Sequence, residues 1–163
     1  MEIKSDHYED YYNKQLKAGQ EYQDFITKDL MNYGICYVQF NSRKFQQNIG
    51  ENSAGIEIKH DMRFQDTGNL YIEISEKSDP NNQNFIKSGI YRNDNSFLYV
   101  IGDYKEYWIL SKKTLISLHK SEIYREVEIP TSQGYLLPRN EADKFCEKHH
   151  TPKESHESDL PEM

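Results

Sequence analysis

The sequence predicts an α+β fold in which a central mixed sheet of about five strands is flanked by helices. Three observations lead there. The apolar residues between Gln20 and Tyr33 recur with helical spacing, two later runs (55–61 and 69–75) alternate with period two, and an aromatic-rich pair of runs brackets Gly102 and Asp103.

In chain order, Tyr22, Phe25, Ile26, Leu30 and Tyr33 fall at i, i+3, i+4, i+8 and i+11 on one helical face, and Gly34 supplies the stop. An earlier helix is expected over residues 5–18, where Tyr8, Tyr11, Tyr12 and Leu16 are partly periodic. ICYVQF (35–40) has the β-branched and aromatic content of a strand. In GIEIKHD (55–61), Ile56 and Ile58 take one face and Glu57, Lys59 and Asp61 the other; in NLYIEIS (69–75), Leu70, Ile72 and Ile74 oppose Tyr71, Glu73 and Ser75. Asp66 to Asn69 supply the turn expected to join these two strands as a pair.

Beyond a polar loop, SFLYVIGDYKEYWILS is a predicted hairpin, and Ser111 caps a short helix through Leu118. Ile123 to Ile129 alternates as an edge strand closed by Pro130, and a last helix starts near Asn140 with Ala142, Phe145 and Cys146 inward. With 163 residues the chain suits one compact domain, expected over 1–148, followed by a disordered polar tail over 149–163.

Composition narrows the function. No apolar run is long enough to span a bilayer and the N-terminus lacks the zones of a signal peptide, so a cytoplasmic protein of a bacterial or phage-infected cell is expected, with no membrane partner. Cys36 and Cys146 lack metal-ligand spacing. Twenty Lys and Arg against 27 Asp and Glu give a net charge of −7, which disfavours a general nucleic-acid coat protein but leaves room for a local basic cleft. Walker loops, nucleophile elbows and G-x-G-x-x-G are absent, which sets aside NTPases, serine hydrolases and dinucleotide enzymes.

The chemistry-bearing residues are the polar faces of the two alternating strands. If these strands pair, Glu57, Lys59, Asp61 and Glu73 share a surface. Carboxylates held close together repel unless a cation joins them, and Mg²⁺ typically takes one or two carboxylates plus phosphate oxygens. A lysine beside them stabilises charge on a phosphoryl group. The same alternation also describes a solvated antiparallel face. His60 beside Asp61 has the form of an HD metal pair, but neighbours on a strand face opposite ways. His149, His150 and His156 offer imidazoles on the polar tail, and Lys87, Arg92, Lys112 and Lys113 are candidate phosphate contacts.

The order AGQEYQDFITKDLMNYG, GIEIKHD, TGNLYIE, SGI and WILSKKTL over roughly residues 18–118 resembles small phage and bacterial members of the PD-(D/E)XK nuclease superfamily. The resemblance implies a restriction-endonuclease-like fold and a metal-dependent endonuclease acting on DNA, using Mg²⁺ or Mn²⁺ and working as a homodimer. It makes Asp61 the metal-binding aspartate, Glu73 the acid of the second half-motif and Glu21 the accessory acid of the first helix, with Glu57 as a further candidate ligand. Ser75 stands where the signature has lysine. Lys59, or Lys77 across a bulge, is the expected substitute, and a second alignment takes Glu57 and Lys59 as the E-x-K pair with Glu51 upstream. The competing expectation is a catalytically inactive nuclease fold, a phage-encoded inhibitor or DNA mimic that binds a host protein.

Overall fold

A computed structural model describes residues 3–152. One continuous helix, α1 (Ile3–Met31), replaces the two expected, and the amide of Ile35 returns to the Leu30 carbonyl to close it beside Gly34. The other helices are α2 (Arg43–Asn48), α3 (Phe64–Thr67), α4 (Lys112–Lys120) and α5 (Arg139–Phe145). Ser42 caps α2 and Ser111 caps α4, each accepting from the amide three residues on. No helix among the described residues is long and apolar enough to cross a membrane.

The eight strands among the described residues form two four-stranded sheets rather than one central sheet of about five. The mixed sheet has the order β1 (Ile56–His60), β4 (Leu98–Gly102), β5 (Tyr107–Ser111), β8 (Lys148–His150), with β1 parallel to β4 and the remaining pairs antiparallel. The antiparallel sheet has the order β3 (Ile86–Lys87), β2 (Asn69–Glu76), β7 (Ser132–Pro138), β6 (Glu126–Ile129).

The expected pairing of the two alternating strands is therefore overturned, because β1 and β2 lie in different sheets. The cause is local. The connection contains α3, whose Phe64 is fully buried against Trp108 at 4.8 Å between ring centroids, so the chain crosses between layers instead of turning back.

Two cores result. Tyr22, Ile26 and Leu30 of α1 pack on Ile56, Ile58, Val100 and Tyr107, one face of the mixed sheet. Its other face contributes Tyr99, Ile101, Trp108 and Leu110 to a larger core shared with Leu70, Ile72, Tyr135 and Leu137 of the antiparallel sheet.

Three further expectations change. Residues 35–40 form no strand: the segment pairs with residues 51–53 through an isolated Gln39–Asn52 bridge, and Val38 is 66% exposed. His149 and His150, expected in the polar tail, belong to β8; residues 153–163, including His156, lie outside the described residues. Strand β7 has no counterpart among the expected strands.

Candidate functional site

β1 is an edge strand of the mixed sheet, which leaves the polar side chains of its inner face beside open space. There, a cleft of about 730 Å³ is bounded by the end of β1, the face of the antiparallel sheet that carries Tyr71 and Glu73, and the N-terminal half of α1. Lys59, Asp61 and Glu73 all line it. Three residues expected on one hairpin face are thus brought together across two sheets.

Glu73 is the most firmly held of them. Ser88 Oγ donates to its Oε1 at 3.0 Å and Ser132 Oγ to its Oε2 at 3.3 Å, with the Tyr71 hydroxyl donating in turn to Ser132 at 2.5 Å. The SGI motif builds this clamp: Ser88 binds the carboxylate, Gly89 packs on the backbone beneath it, and Ile90 anchors in the core. Gly89 sits at φ +55°, and a Cβ there would lie 2.1 Å from the Glu73 carbonyl oxygen, so glycine is required twice over. Gly134 opposite Glu73 is required for space, since a Cβ would meet the Tyr71 ring at 2.6 Å.

The β2–β7 register shifts between Glu73 and Ser75. Past this bulge Ser75 is buried and donates to Gln133 at 2.7 Å, away from Glu73's partners. Lys77 does not reach back: its ammonium donates to the Asn82 carbonyl and lies 4.5 Å over the Phe85 ring. The remaining candidate, Lys59, points into the cleft with its side chain 45% exposed, paired to Glu57 at 3.0 Å. The negative charge of Glu57, joined by that of Glu73, raises the Lys59 ammonium above the usual lysine range despite its partial burial.

Asp61 terminates β1. Its Oδ2 accepts from the Tyr71 amide at 2.8 Å and its Oδ1 from the Arg63 amide at 3.1 Å, which ties the end of one sheet to the start of the other. Burial nonetheless lifts its carboxyl above the ordinary aspartate value.

Glu57 is buried and lines a second, smaller cavity of about 350 Å³ with Glu51, and Lys59 borders both cavities. Burial, then the charge of Glu57, raises the Glu51 carboxyl. The second alignment thus also finds its three residues side by side.

Glu21 is not part of either cavity. It lies on the solvent side of α1, 61% exposed and 3.9 Å from Lys17, so its expected accessory role has no geometric basis here. Glu57 does not complete a three-carboxylate set with Asp61 and Glu73, and among the described residues no three His, Cys, Asp or Glu side chains are grouped to hold a metal ion. Asp61 and Glu73 both line the cleft, and each carboxylate keeps lone pairs beyond the bonds described, so these are the two residues that could contribute to a cation site completed by phosphate oxygens and water.

Three of the remaining candidates make contacts away from the two carboxylates. His60 stacks on Tyr22 of α1 at 4.4 Å, on the opposite side of β1 from Asp61's partners. Lys112 is bound to Asp94, Ser96 and the Arg92 carbonyl. Lys87 lies 5.4 Å over the Tyr91 ring.

Sequence reasoning gave no role to Ser88, Ser132, Arg63 or Arg125. The last two line the cleft without a carboxylate partner among the described residues. Ser88 stood in a recognised motif, and Arg125 shares the alternation of the edge strand; Ser132 left no signal, because its strand was not visible.

In comparisons with known proteins, no family model, no curated protein and no solved structure matches this chain.

Proposed function

We propose that the cleft is the active site of a metal-dependent nuclease that hydrolyses DNA phosphodiester bonds in the manner of the PD-(D/E)XK superfamily. The observation that carries this reading is that Lys59 and Asp61, at the end of the mixed sheet, line one cleft with Glu73 of the antiparallel sheet, so that a lysine and two carboxylates share it although Ser75 stands in place of the motif lysine.

Asp61 and Glu73 are the residues that would hold Mg²⁺ or Mn²⁺ together with substrate oxygens. A bound ion would supply Lewis-acid polarisation and a more acidic water. Lys59, kept protonated by Glu57 and Glu73, stabilises the negative charge that grows on the phosphoryl oxygens as water attacks phosphorus and the ester oxygen leaves. The hydroxyls of Ser88 and Ser132 hold Glu73 so that it need not reorganise during the reaction.

A second reading, a nuclease fold that binds a host protein without catalysis, draws on two observations: Ser75 is turned to Gln133, and both Asp61 oxygens serve backbone amides. Cleavage of supercoiled and branched DNA with Mg²⁺ or Mn²⁺ separates the two. Wild type should cut, Glu73→Gln and Asp61→Asn should not, and the metal should raise the melting temperature of wild type only. A folded wild type that cuts no substrate and shows no metal-dependent shift would exclude the enzyme and favour the binding module.

A further inference from the structure

The cleft is bordered by surfaces that phosphodiester chemistry alone does not explain. On the antiparallel sheet, Leu136 lies opposite Tyr71, Val127 opposite Gly134 and Ile129 opposite Ser132, so three aliphatic side chains extend the row that carries Glu73. Facing them across the cleft, Tyr11 projects from α1, 62% exposed. Three cations border the same space: Lys59, Arg63 and Arg125.

This mixture selects among nucleic acids. A chain with a net charge of −7 is poorly suited to neutralising the many phosphates on the outside of a double helix. A duplex also keeps its base faces stacked inside and offers only base edges in its grooves, so it gains nothing from an aliphatic and tyrosine wall. An unpaired strand exposes base faces, for which aromatic side chains are the recurrent platform, beside local cations that take its phosphates.

We propose that the cleft takes a single-stranded segment of nucleic acid, such as a flap, overhang or loop, with bases against Tyr11 and the Val127, Ile129 and Leu136 surface and phosphates against Lys59, Arg63 and Arg125. The choice of substrate rests on the nuclease reading; the binding itself does not, and this lets the two be tested apart.

The test is fluorescence anisotropy of the full-length protein in chelator, so that the strand stays whole. A short single-stranded oligonucleotide is compared with a blunt duplex and with an abasic strand of equal charge. The single strand should bind at least about tenfold more tightly than either control, and Tyr11→Ala should weaken it about tenfold with the melting temperature unchanged. Arg125→Gln should reduce the salt dependence by about one phosphate contact. Equal affinity for the duplex or the abasic strand would overturn the proposal. Adding Mg²⁺ then distinguishes the failures: selective binding without cleavage upholds the single-strand cleft and removes the nuclease, whereas cleavage of blunt duplex without single-strand preference upholds the nuclease and overturns the cleft assignment.

Discussion

Two clusters of charge, one at the β4–β5 turn and one at the end of β1, are built on different principles. At the β4–β5 turn, Glu106 is held by a two-pronged ion pair with Arg139, one prong of 2.6 Å, by His149 at 2.9 Å and by Gln65. The Arg139 guanidinium lies 4.8 Å from the Phe64 ring centroid, and His149 stacks on Trp108 at 4.5 Å. Every charged group there faces a partner or a ring. At the end of β1, by contrast, Lys59 pairs with one buried glutamate, feels a second, and faces an open cleft beside two arginines that have no carboxylate partner among the described residues. A saturated cluster has little left to offer a ligand. The unsaturated one keeps its electrostatic energy available for a reaction or a substrate.

The comparison is broken most directly by paired substitutions. Lys59→Met is expected to lower DNA cleavage by at least about 100-fold, the usual cost of removing one group that stabilises transition-state charge. Arg139→Met should leave the cleavage rate unchanged and instead lower stability by about 1–3 kcal/mol, because it strips a charge-assisted pair from the shielded Glu106 carboxylate. Initial-rate assays and urea titrations on both variants check this. A loss of cleavage in Arg139→Met with normal stability would erase the distinction between the clusters.

Gly89→Ala tests how rigidly the clamp holds Glu73. The substitution forces a left-handed residue against the Glu73 backbone, and a cost of at least about 2 kcal/mol is expected. Cleavage should fall as well, since relief of the clash moves either Glu73 or the Ser88 hydroxyl that binds it. A variant with wild-type stability and activity would mean that the clamp is loose.

These contrasts also show what the sequence could reveal. Periodicity located the second half of α1, β1, β2 and β6, the aromatic runs around Gly102 and Asp103 gave the β4–β5 hairpin, and the serine before Lys112 marked the start of α4. It could not tell which strands pair, because an alternation of period two assigns faces and says nothing about neighbours. The connection between β1 and β2 has the composition of a turn, and nothing local in it signals that Phe64 is buried against Trp108. Strand β7 stayed hidden because Ser-Gln-Gly at its start has loop composition, and Gly134 is there to admit the Tyr71 ring. β8 is a strand of three polar residues kept in place by stacking and ion pairs, which leave no apolar signature. Asp61, Glu73 and Lys59 were legible as site candidates since all three carry charge on strand faces; Glu21 followed only from a motif, and its helix turns it to solvent.

A pH titration sharpens the saturated side. Arg139 first, with Gln65 and His149, pulls the Glu106 carboxyl from an ordinary 4.5 down to about 2. A carboxylate with a depressed folded value stabilises the fold fully above its unfolded value and loses that contribution as pH falls toward the folded one. Wild-type stability should therefore drop between pH 4.5 and about 2, and Glu106→Gln should flatten that part of the profile. Equal slopes in urea titrations across this window would show that the pair contributes nothing.

The smallest expected effect is the most discriminating, because Asp61 belongs to both the site and the frame. Burial raises its carboxyl above the ordinary 3.8, the reverse of Glu106. A raised folded value means that stability is lost as pH climbs through it, so the ionised carboxylate is a cost to the fold at neutral pH. Asp61→Asn removes that cost but gives up one of two backbone hydrogen bonds, worth about 1 kcal/mol, and the two changes nearly cancel. The variant should match wild type at neutral pH to within about 1 kcal/mol and lose ground to it as pH falls through the raised folded value toward 3.8, below which the difference levels off because the wild-type carboxyl is neutral in both states. Cleavage, on the proposed reading, should be abolished throughout. If Asp61→Asn instead unfolds at neutral pH, Asp61 acts first as the tie between the two sheets, and the argument for chemistry in the cleft falls back on Lys59 and Glu73.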